Sequence, residues 1–416
     1  MKEFAILNEQ EYSTFYASHP LRNFMNAPEA MKQKALGSIP YEYAGVRENG
    51  TLLCATPLCY FPFMKVFRMC YAQRGFLADY TDRETLAFFS SSLKQYLKKK
   101  RVVYLLADPN VLYRERDIDG ELVENGFDNS YVLDAMTEAG FTHQGFSRNY
   151  GTFAMVNWMF SLYLNGKDED TVLKDMHQQT RWSLNRTLKQ GIQVRELGED
   201  ELDIFLNMEE ATAKRRGFEM RDRNFYRNQY KAYGEHARLL LAYLDLDVFD
   251  ASNAREYAQI TADIQENDAK LAETPGSKKY TKKQKVLQEA LDLNAKKQQE
   301  SAELRAAYGS VLNMAASWFM VYDNEITYLY SAADDTFRKY YAPYAVQWHM
   351  IRYALEHHIP RYNFYGISGD FREEAEDYGV YEFKRGFGGQ TEELVGDFIL
   401  PVKPFLYSLY RRLRSR

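Results

Sequence analysis

The residues best suited to chemistry lie in one run, Arg361 to Gly389, reading RYNFYGISGDFREEAEDYGVYEFKRGFGG. An aromatic stretch, Arg361 to Tyr365, breaks into Gly366-Ile367-Ser368-Gly369-Asp370. After an acidic segment comes Phe383-Lys384-Arg385-Gly386-Phe387-Gly388-Gly389. Glycines let a backbone approach a ligand closely. Aromatic walls exclude water, and a cation beside such a wall acts with little screening. The chemistry that suits Lys384 is stabilisation of developing negative charge. A core strand with a flanking turn is the plainer use of the same residues.

A second cationic block, Lys214 to Asp222, precedes the aromatic pair Phe225-Tyr226. Arginine carries a planar fork that matches phosphate oxygens, which makes Arg221 a phosphate-binding candidate. Its competing use is an ion pair with Asp222. A third block, Met176 to Gly191, reads as an amphipathic basic helix with mostly solvated charges.

Composition narrows the classes. At 416 residues and 45% hydrophobic content, two or three domains are expected. The net charge of −5 excludes a globally basic nucleic-acid binder, so any such contact is a local patch. Three cysteines (Cys54, Cys59, Cys70) without a Cys-x-x-Cys pair argue against a disulfide framework or structural zinc. The seven histidines show no metal spacing, so no metal is expected. The start, Met1-Lys2-Glu3-Phe4, does not read as a signal peptide. No stretch nears ~20 uninterrupted apolar residues. A cytoplasmic protein is the expectation.

The elements that must position these residues are mixed α/β. Leu86–Lys100 reads as a helix, then a strand Val102–Ala107. Tyr344–His358 reads as a helix, then a strand Tyr362–Tyr365. Strands Tyr71–Leu77 and Ile326–Ser331 precede the two helices, so the order suggests a duplicated unit. Tyr41–Val46 turning at Asn49-Gly50 into Thr51–Leu58 reads as a hairpin. Residues 248–307 stand apart as two polar helices broken at Pro275-Gly276-Ser277. Their thin seam comprises Val248, Tyr257, Ile260, Ile264 and Leu271 against Val286, Leu287, Ala290, Leu293 and Leu304. An antiparallel coiled-coil hairpin is expected there. Its lysines Lys278, Lys279, Lys282, Lys283 and Lys285 suit either a nucleic-acid backbone or plain solvation. The tail places Lys403, Arg411, Arg412, Arg414 and Arg416 among apolar and aromatic residues. It fits contact with an anionic membrane face or a solvated terminal helix.

Taken together, the Met176–Gly191 block, the Lys214–Tyr226 block and the stretch from Thr336 to Gly389 resemble the Fem family of non-ribosomal peptidyltransferases. The overall pattern is closest to its hairpin-bearing members. The resemblance implies an α/β (α+β) fold of two tandem GNAT-like subdomains. The first would span residues 1–150. The second would span 151–247 and 308–400, interrupted by the coiled-coil hairpin 248–307 and followed by a basic tail, 401–416. It implies transfer of an amino acid from aminoacyl-tRNA to a peptidoglycan precursor, lipid II or a UDP-MurNAc-peptide, without a cofactor. Peripheral membrane contact and a homologous Fem partner would accompany it. By resemblance Lys384 binds the tRNA end and stabilises the reacting ester. Arg221 and Lys34 contact the precursor diphosphate, although Ala30 departs from the family's usual Trp near Lys34. Tyr226, Tyr330, Phe383 and Asp108 complete the substrate-binding set. The alternatives are an acyl-CoA-dependent N-acyltransferase, for which Gln73-Arg74-Gly75-Phe76 lacks the second glycine, and a coiled-coil adaptor.

Overall fold

A computed structural model describes residues 1–148, 155–217 and 219–414. The expected boundary at 150/151, Phe218 of the cationic block and Arg416 of the tail lie outside the described residues. Strands β1 (Lys2–Leu7), β2 (Tyr41–Glu48), β3 (Thr51–Phe63), β4 (Phe67–Ala72), β5 (Val102–Ala107) and β6 (Thr142–His143) come from the first part of the chain. Strands β7 (Trp158–Tyr163), β8 (Gln193–Glu196), β9 (Ala237–Asp245), β10 (Val311–Val321), β11 (Ile326–Ala333), β12 (Arg361–Ile367), β13 (Gln390–Glu393) and β14 (Phe398–Pro401) follow.

They form two seven-stranded sheets, β1-β2-β3-β4-β5-β14-β6 and β8-β9-β10-β11-β12-β7-β13. The two orders correspond position by position. Each sheet has one parallel pair, β4 with β5 and β11 with β12, joined by the helices Arg83–Lys99 and Ala342–Glu356. The expected strand-helix-strand duplication is therefore present. The sixth position of each sheet is exchanged. Strand β7 follows β6 in the chain yet pairs with β12 and β13, and β14 ends the second half yet pairs with β5 and β6. Residues 398–400, expected in the second unit, and Pro401, expected in the tail, thus pair into the first sheet. Nothing in their composition marks which sheet completes them.

The exchanged strands cross at a buried ion pair. Arg74 and Asp108 are each 1% exposed and lie 3.3 Å apart. The Arg74 backbone N–H donates to Asp108 Oδ1 at 2.7 Å, and Tyr71 Oη donates to Oδ2 at 3.0 Å. Arg74 Nη2 donates to the Val156 carbonyl at 2.7 Å, just before β7. Asp397, just before β14, is pushed up to about 7 by burial and by the Asp108 charge, with Arg74 opposing. This packing also corrects the expected strand Tyr71–Leu77. Strand β4 ends at Ala72, because Arg74 turns inward with φ +49° to meet Asp108.

The two units share a core. Tyr12, Phe24, Met25 and Met31 pack with Tyr226, Tyr233, Trp318 and Tyr322, and Tyr233 Oη donates to the Phe24 carbonyl at 3.2 Å. The hairpin comprises helices Leu246–Glu273 and Lys278–Tyr308. Its seam differs from expectation: Val248, Tyr257, Val286 and Leu293 are exposed, while Leu246, Asn253, Ile260 and Asn267 recur inward at seven-residue steps. The seam asparagines are bonded only in part, since Asn253 Nδ2 and Asn267 Oδ1 lack a partner among the described residues. Asn294 Nδ2 donates to the Asn253 carbonyl at 3.0 Å, and Asn267 Nδ2 to the Tyr280 carbonyl at 3.0 Å. These bonds set an antiparallel register, as buried asparagines do in helical pairs. Arg305 fixes the base through Asp247 and Asp250. No helix among the described residues is long and apolar enough to cross a membrane.

Removing one member of a buried pair strands the other. Arg74→Met is therefore expected to destabilise the protein by about 3–5 kcal/mol in denaturant unfolding. The double variant Arg74→Met/Asp108→Leu should recover part of that loss. A single variant as stable as wild type would show that the pair does not hold the crossing.

Candidate active site

The signature run divides between a strand and a helix. Arg361–Ile367 is β12, whereas Lys384 sits in the last turn of the helix Tyr378–Arg385, so the core-strand reading fails for that half. The glycines that follow approach the protein's own backbone rather than open space. At Gly389, φ is +109° and a Cβ would run into the Ser161 carbonyl of β7. The His177 N–H donates to the Gly386 carbonyl at 2.9 Å, closing the helix end against the helix Gln178–Lys189.

Lys384 is 6% exposed. Its Nζ donates to the Gly366 carbonyl at 2.6 Å and the Tyr365 carbonyl at 3.3 Å. These carbonyls are presented by an irregular stretch of β12, where Tyr365 has φ +62° and its N–H donates to Asn363 Oδ1 at 2.7 Å. Below this stretch the strand is fixed by Arg361, which pairs with Glu325 and Glu392. An ammonium has three donors, and two are used among the described residues. Burial lowers the Lys384 ammonium to about 7, with the Asp377 charge working against it. Phe383 lies on the same helix and packs edge-on to Tyr344 and Phe387 at 5.0 and 5.4 Å.

A second cationic site lies where the units meet. Lys34 belongs to the helix Pro28–Leu36 of the first unit, and Arg221 precedes the helix Arg223–Tyr233 of the second. Burial lowers the Lys34 ammonium; Cys59 opposes this and Arg221 adds to it. Asp222 caps its helix by accepting from the Phe225 N–H at 2.8 Å. Arg221 lies over the Phe225 ring at 5.4 Å and makes no ion pair among the described residues. Tyr330 meets Phe225 and Tyr226 edge-on at 6.3 and 5.8 Å, and burial raises its phenol to about 12. Tyr226 is buried and its Oη donates to Glu209 Oε1 at 2.5 Å. Glu209, which sequence reading missed, has its carboxyl raised by burial. Lys34, Arg221, Tyr226 and Tyr330 are thus brought together. Lys384 is tied to this group only indirectly: the Tyr365 carbonyl accepts from its Nζ, and the Tyr365 phenol lies in the field of Tyr330. Asp108 is drawn into the ion pair at the strand crossing instead of lining an open cleft.

Sequence reading also missed a cleft of about 600 Å³ between the units. Arg116, Arg148, Trp158, Asp370, Phe371 and Glu393 contribute to its wall. Arg116 stacks over Trp158 at 4.7 Å and pairs with Glu393 at 2.6 Å. Phe371 packs on Tyr381 at 5.1 Å, one turn from Lys384 on the same helix. Its members are scattered from 113 to 393, and only the fold assembles them. The hairpin lysines are remote from both cationic sites in the chain and exposed, with Lys285 at 80%.

A family model described as the FemAB family matches residues 7–415. The chain belongs to the FemAB family. It is 34% identical to the aminoacyltransferase FemA of Staphylococcus aureus strain MRSA252 over 414 residues, 99% of this chain and 98% of that protein. FemA of strain N315 matches to the same extent. The crystal structure of FemX superposes with a TM-score of 0.85 at 24% identity, covering 98% of this chain and 99% of that one. A tandem GNAT protein from the clavulanic acid biosynthesis pathway shares the fold at a TM-score of 0.50 and 10% identity, over 97% of this chain and 99% of that one. The expected tandem GNAT-like architecture is therefore the one found. This FemAB member is an aminoacyltransferase, and the acyl-CoA and adaptor alternatives fall away.

The lowered Lys384 has a definite sign. It is charged below about 7 and neutral above, while the unfolded chain keeps the proton up to the ordinary lysine range near 10.4. Between those limits the unfolded chain binds more protons, so this group's contribution to stability rises with pH there. Titration of the lysine Nζ resonances by NMR, with Lys384→Met as assignment control, should give one midpoint near 7. A midpoint in the ordinary lysine range would show that the ammonium is solvated.

Proposed function

We propose that this enzyme moves an amino acid from aminoacyl-tRNA to the stem or bridge peptide of a peptidoglycan precursor, building the interpeptide bridge. The observation that carries the precursor side is the Lys34–Arg221 site. Two cations, one from each unit, stand in one another's field beside Tyr330, and Arg221 has no acid paired to it among the described residues. An anion placed between them relieves that repulsion, and a diphosphate carries the charge and oxygens to do so. Both lipid II and a UDP-MurNAc-peptide present such a group. A lipid-linked acceptor would bring the enzyme to the inner membrane face. A homologous Fem partner would extend the bridge beyond one residue.

The ester of aminoacyl-tRNA is already activated, so no covalent intermediate is needed. The acceptor amine attacks the ester carbon, a C–N bond forms, and the carbonyl oxygen becomes an oxyanion. Collapse breaks the bond to the ribose oxygen, and the proton given up by the amine ends on that oxygen, regenerating the ribose hydroxyl. In this reading the remaining Lys384 N–H donates to the oxyanion. An arriving negative charge raises the proton affinity of Lys384 and keeps it an ammonium at neutral pH. One such donor contributes roughly 3–4 kcal/mol to the transition state. Phe383 backs the site, and the cleft bounded by Arg116, Trp158, Asp370 and Phe371 receives the reacting ends. Asp108, held by Arg74, acts through position. Lys278, Lys279, Lys282, Lys283 and Lys285 lie along the tRNA backbone.

Two variants separate the roles. Lys384→Met is expected to lower kcat by about 10²–10³-fold with precursor affinity kept. Arg221→Ala is expected to weaken precursor binding by roughly tenfold to a hundredfold by calorimetry, with a smaller effect on tRNA. Near-wild-type turnover of folded Lys384→Met, or unchanged precursor affinity in Arg221→Ala, would remove that residue from its role.

The hairpin is tested by salt. Replacing its five named lysines by Gln should weaken aminoacyl-tRNA binding. It should also flatten the dependence of log affinity on log salt by about 0.7–0.9 per lost contact. Equal slopes would take the hairpin out of the tRNA interface.

A further inference from the structure

The C-terminal helix Pro404–Arg414 presents two unlike faces. Its inner face closes the first sheet: Tyr407 packs with Val103, Leu106 and Ile399, with Leu406 and Tyr410 beside it. Its outer face carries Phe405, Leu409 and Leu413, exposed by 80%, 44% and 62%. Steps of four residues stack these three as one stripe. The Tyr410 ring meets Phe63 at 4.8 Å, which sets the turn between β3 and β4 alongside the helix. That turn adds exposed Met64 and Val66, separated by Lys65. Single exposed apolar side chains need no explanation, but a stripe extended by a neighbouring turn does.

Charge selects the partner. Arg411 and Arg412 share the helix with the stripe, Lys403 precedes it, and no Asp or Glu follows Asp397 in the chain. The protein as a whole carries −5, so this end opposes the sign of the rest. An apolar stripe beside arginines on a surface helix is the arrangement that lies in a headgroup layer, with side chains among the acyl boundary and guanidinium groups on lipid phosphates. A nucleic acid would use the arginines and leave the stripe in water.

We propose that the helix Pro404–Arg414, with Met64 and Val66, is a docking surface for an anionic bilayer. The helix lies flat, with Phe405, Leu409 and Leu413 in the interface. The acidic remainder of the protein, repelled by the same surface, is turned away from it. This docking holds whether the acceptor of the transfer reaction is lipid-linked or soluble.

The test is sedimentation of the full chain with vesicles of phosphatidylglycerol and phosphatidylcholine, and with vesicles of phosphatidylcholine alone. Wild type is expected to bind the anionic vesicles at least about tenfold more tightly, and to lose that preference at high salt. Arg411→Gln/Arg412→Gln should weaken binding about fivefold per arginine removed. Phe405→Ser/Leu409→Ser/Leu413→Ser should weaken it by roughly a hundredfold. Both variants should keep the wild-type melting temperature and transfer onto a soluble precursor. No binding to anionic vesicles, no preference over neutral ones, or binding by both variants as tight as that of wild type overturns the proposal. So does a wild-type dimer in light scattering that the serine variant alone abolishes, because the stripe then belongs to a second chain. Absence of transfer onto any precursor, with vesicle binding intact, would count against the transfer reading and leave the docking surface standing.

Discussion

The Arg74–Asp108 pair sits where the two halves of the chain trade their last strands, and the geometry of the enzyme follows from that crossing. Strand β7 leaves for the second sheet beside Val156, whose carbonyl accepts from Arg74. Strand β14 returns to the first sheet beside Asp397, which feels both Arg74 and Asp108. A buried ion pair is weak support for stability when compared with a well-packed apolar core. Its use here is definition: it fixes where two strands cross, and neither unit has its sixth strand without the other. The shared aromatic core around Tyr233 and Trp318 reinforces a joint that the strand exchange makes obligatory.

That joint also reaches the chemistry. Tyr365 lies in the fields of Arg74 and Asp108, and its carbonyl, with that of Gly366, holds the Lys384 ammonium. The irregular stretch of β12 is therefore braced from the crossing on one side and from the Arg361 pairs on the other. In the proposed reaction this lysine, buried with carbonyl partners and one remaining donor, is an electrostatic group held ready, because its environment does not need to reorganise when an oxyanion forms. The Lys34–Arg221 site follows the same economy. Its two cations come from different units, so it exists only when the units are docked, and it suits a ligand that bridges them.

The hairpin and the C-terminal helix show how the same chain handles surfaces that cannot join a core. In the hairpin, Asn253, Asn267 and Asn294 take inward positions; Asn267 and Asn294 donate to carbonyls or side chains of the facing helix, and Asn253 offers its backbone carbonyl to Asn294. Register is thereby defined where apolar area is scarce. In the C-terminal helix the inward face is aromatic and the outward face is split between an apolar stripe and arginines.

The sequence by itself determined the local elements and the family. Helices at 83–99 and 342–356 and the strand Val102–Ala107 follow from hydrophobic period, and the β2–β3 hairpin from Asn49-Gly50, since these are interactions between residues close in the chain. The long motifs around Arg221 and Lys384 were legible because residue type and spacing are preserved in linear order. The tertiary structure alone decided the rest. Which sheet receives β14 depends on hydrogen bonds to β5, almost three hundred residues away. The glycines after Lys384 have the type that suits close approach of a ligand, yet Gly389 is pressed on β7, a contact no local pattern encodes. Asp108 looked like an acid at a strand end facing a cleft, and became the buried partner of Arg74. The hairpin seam was legible only in part, Ile260 turning inward and Val248, Tyr257, Val286 and Leu293 outward, because a thin apolar pattern does not fix helical phase. The cleft gathers Arg116, Trp158, Asp370 and Glu393 from both halves. Side chains so far apart in the chain meet only because the exchanged strands bring their backbones together, and that is information a linear sequence holds without displaying.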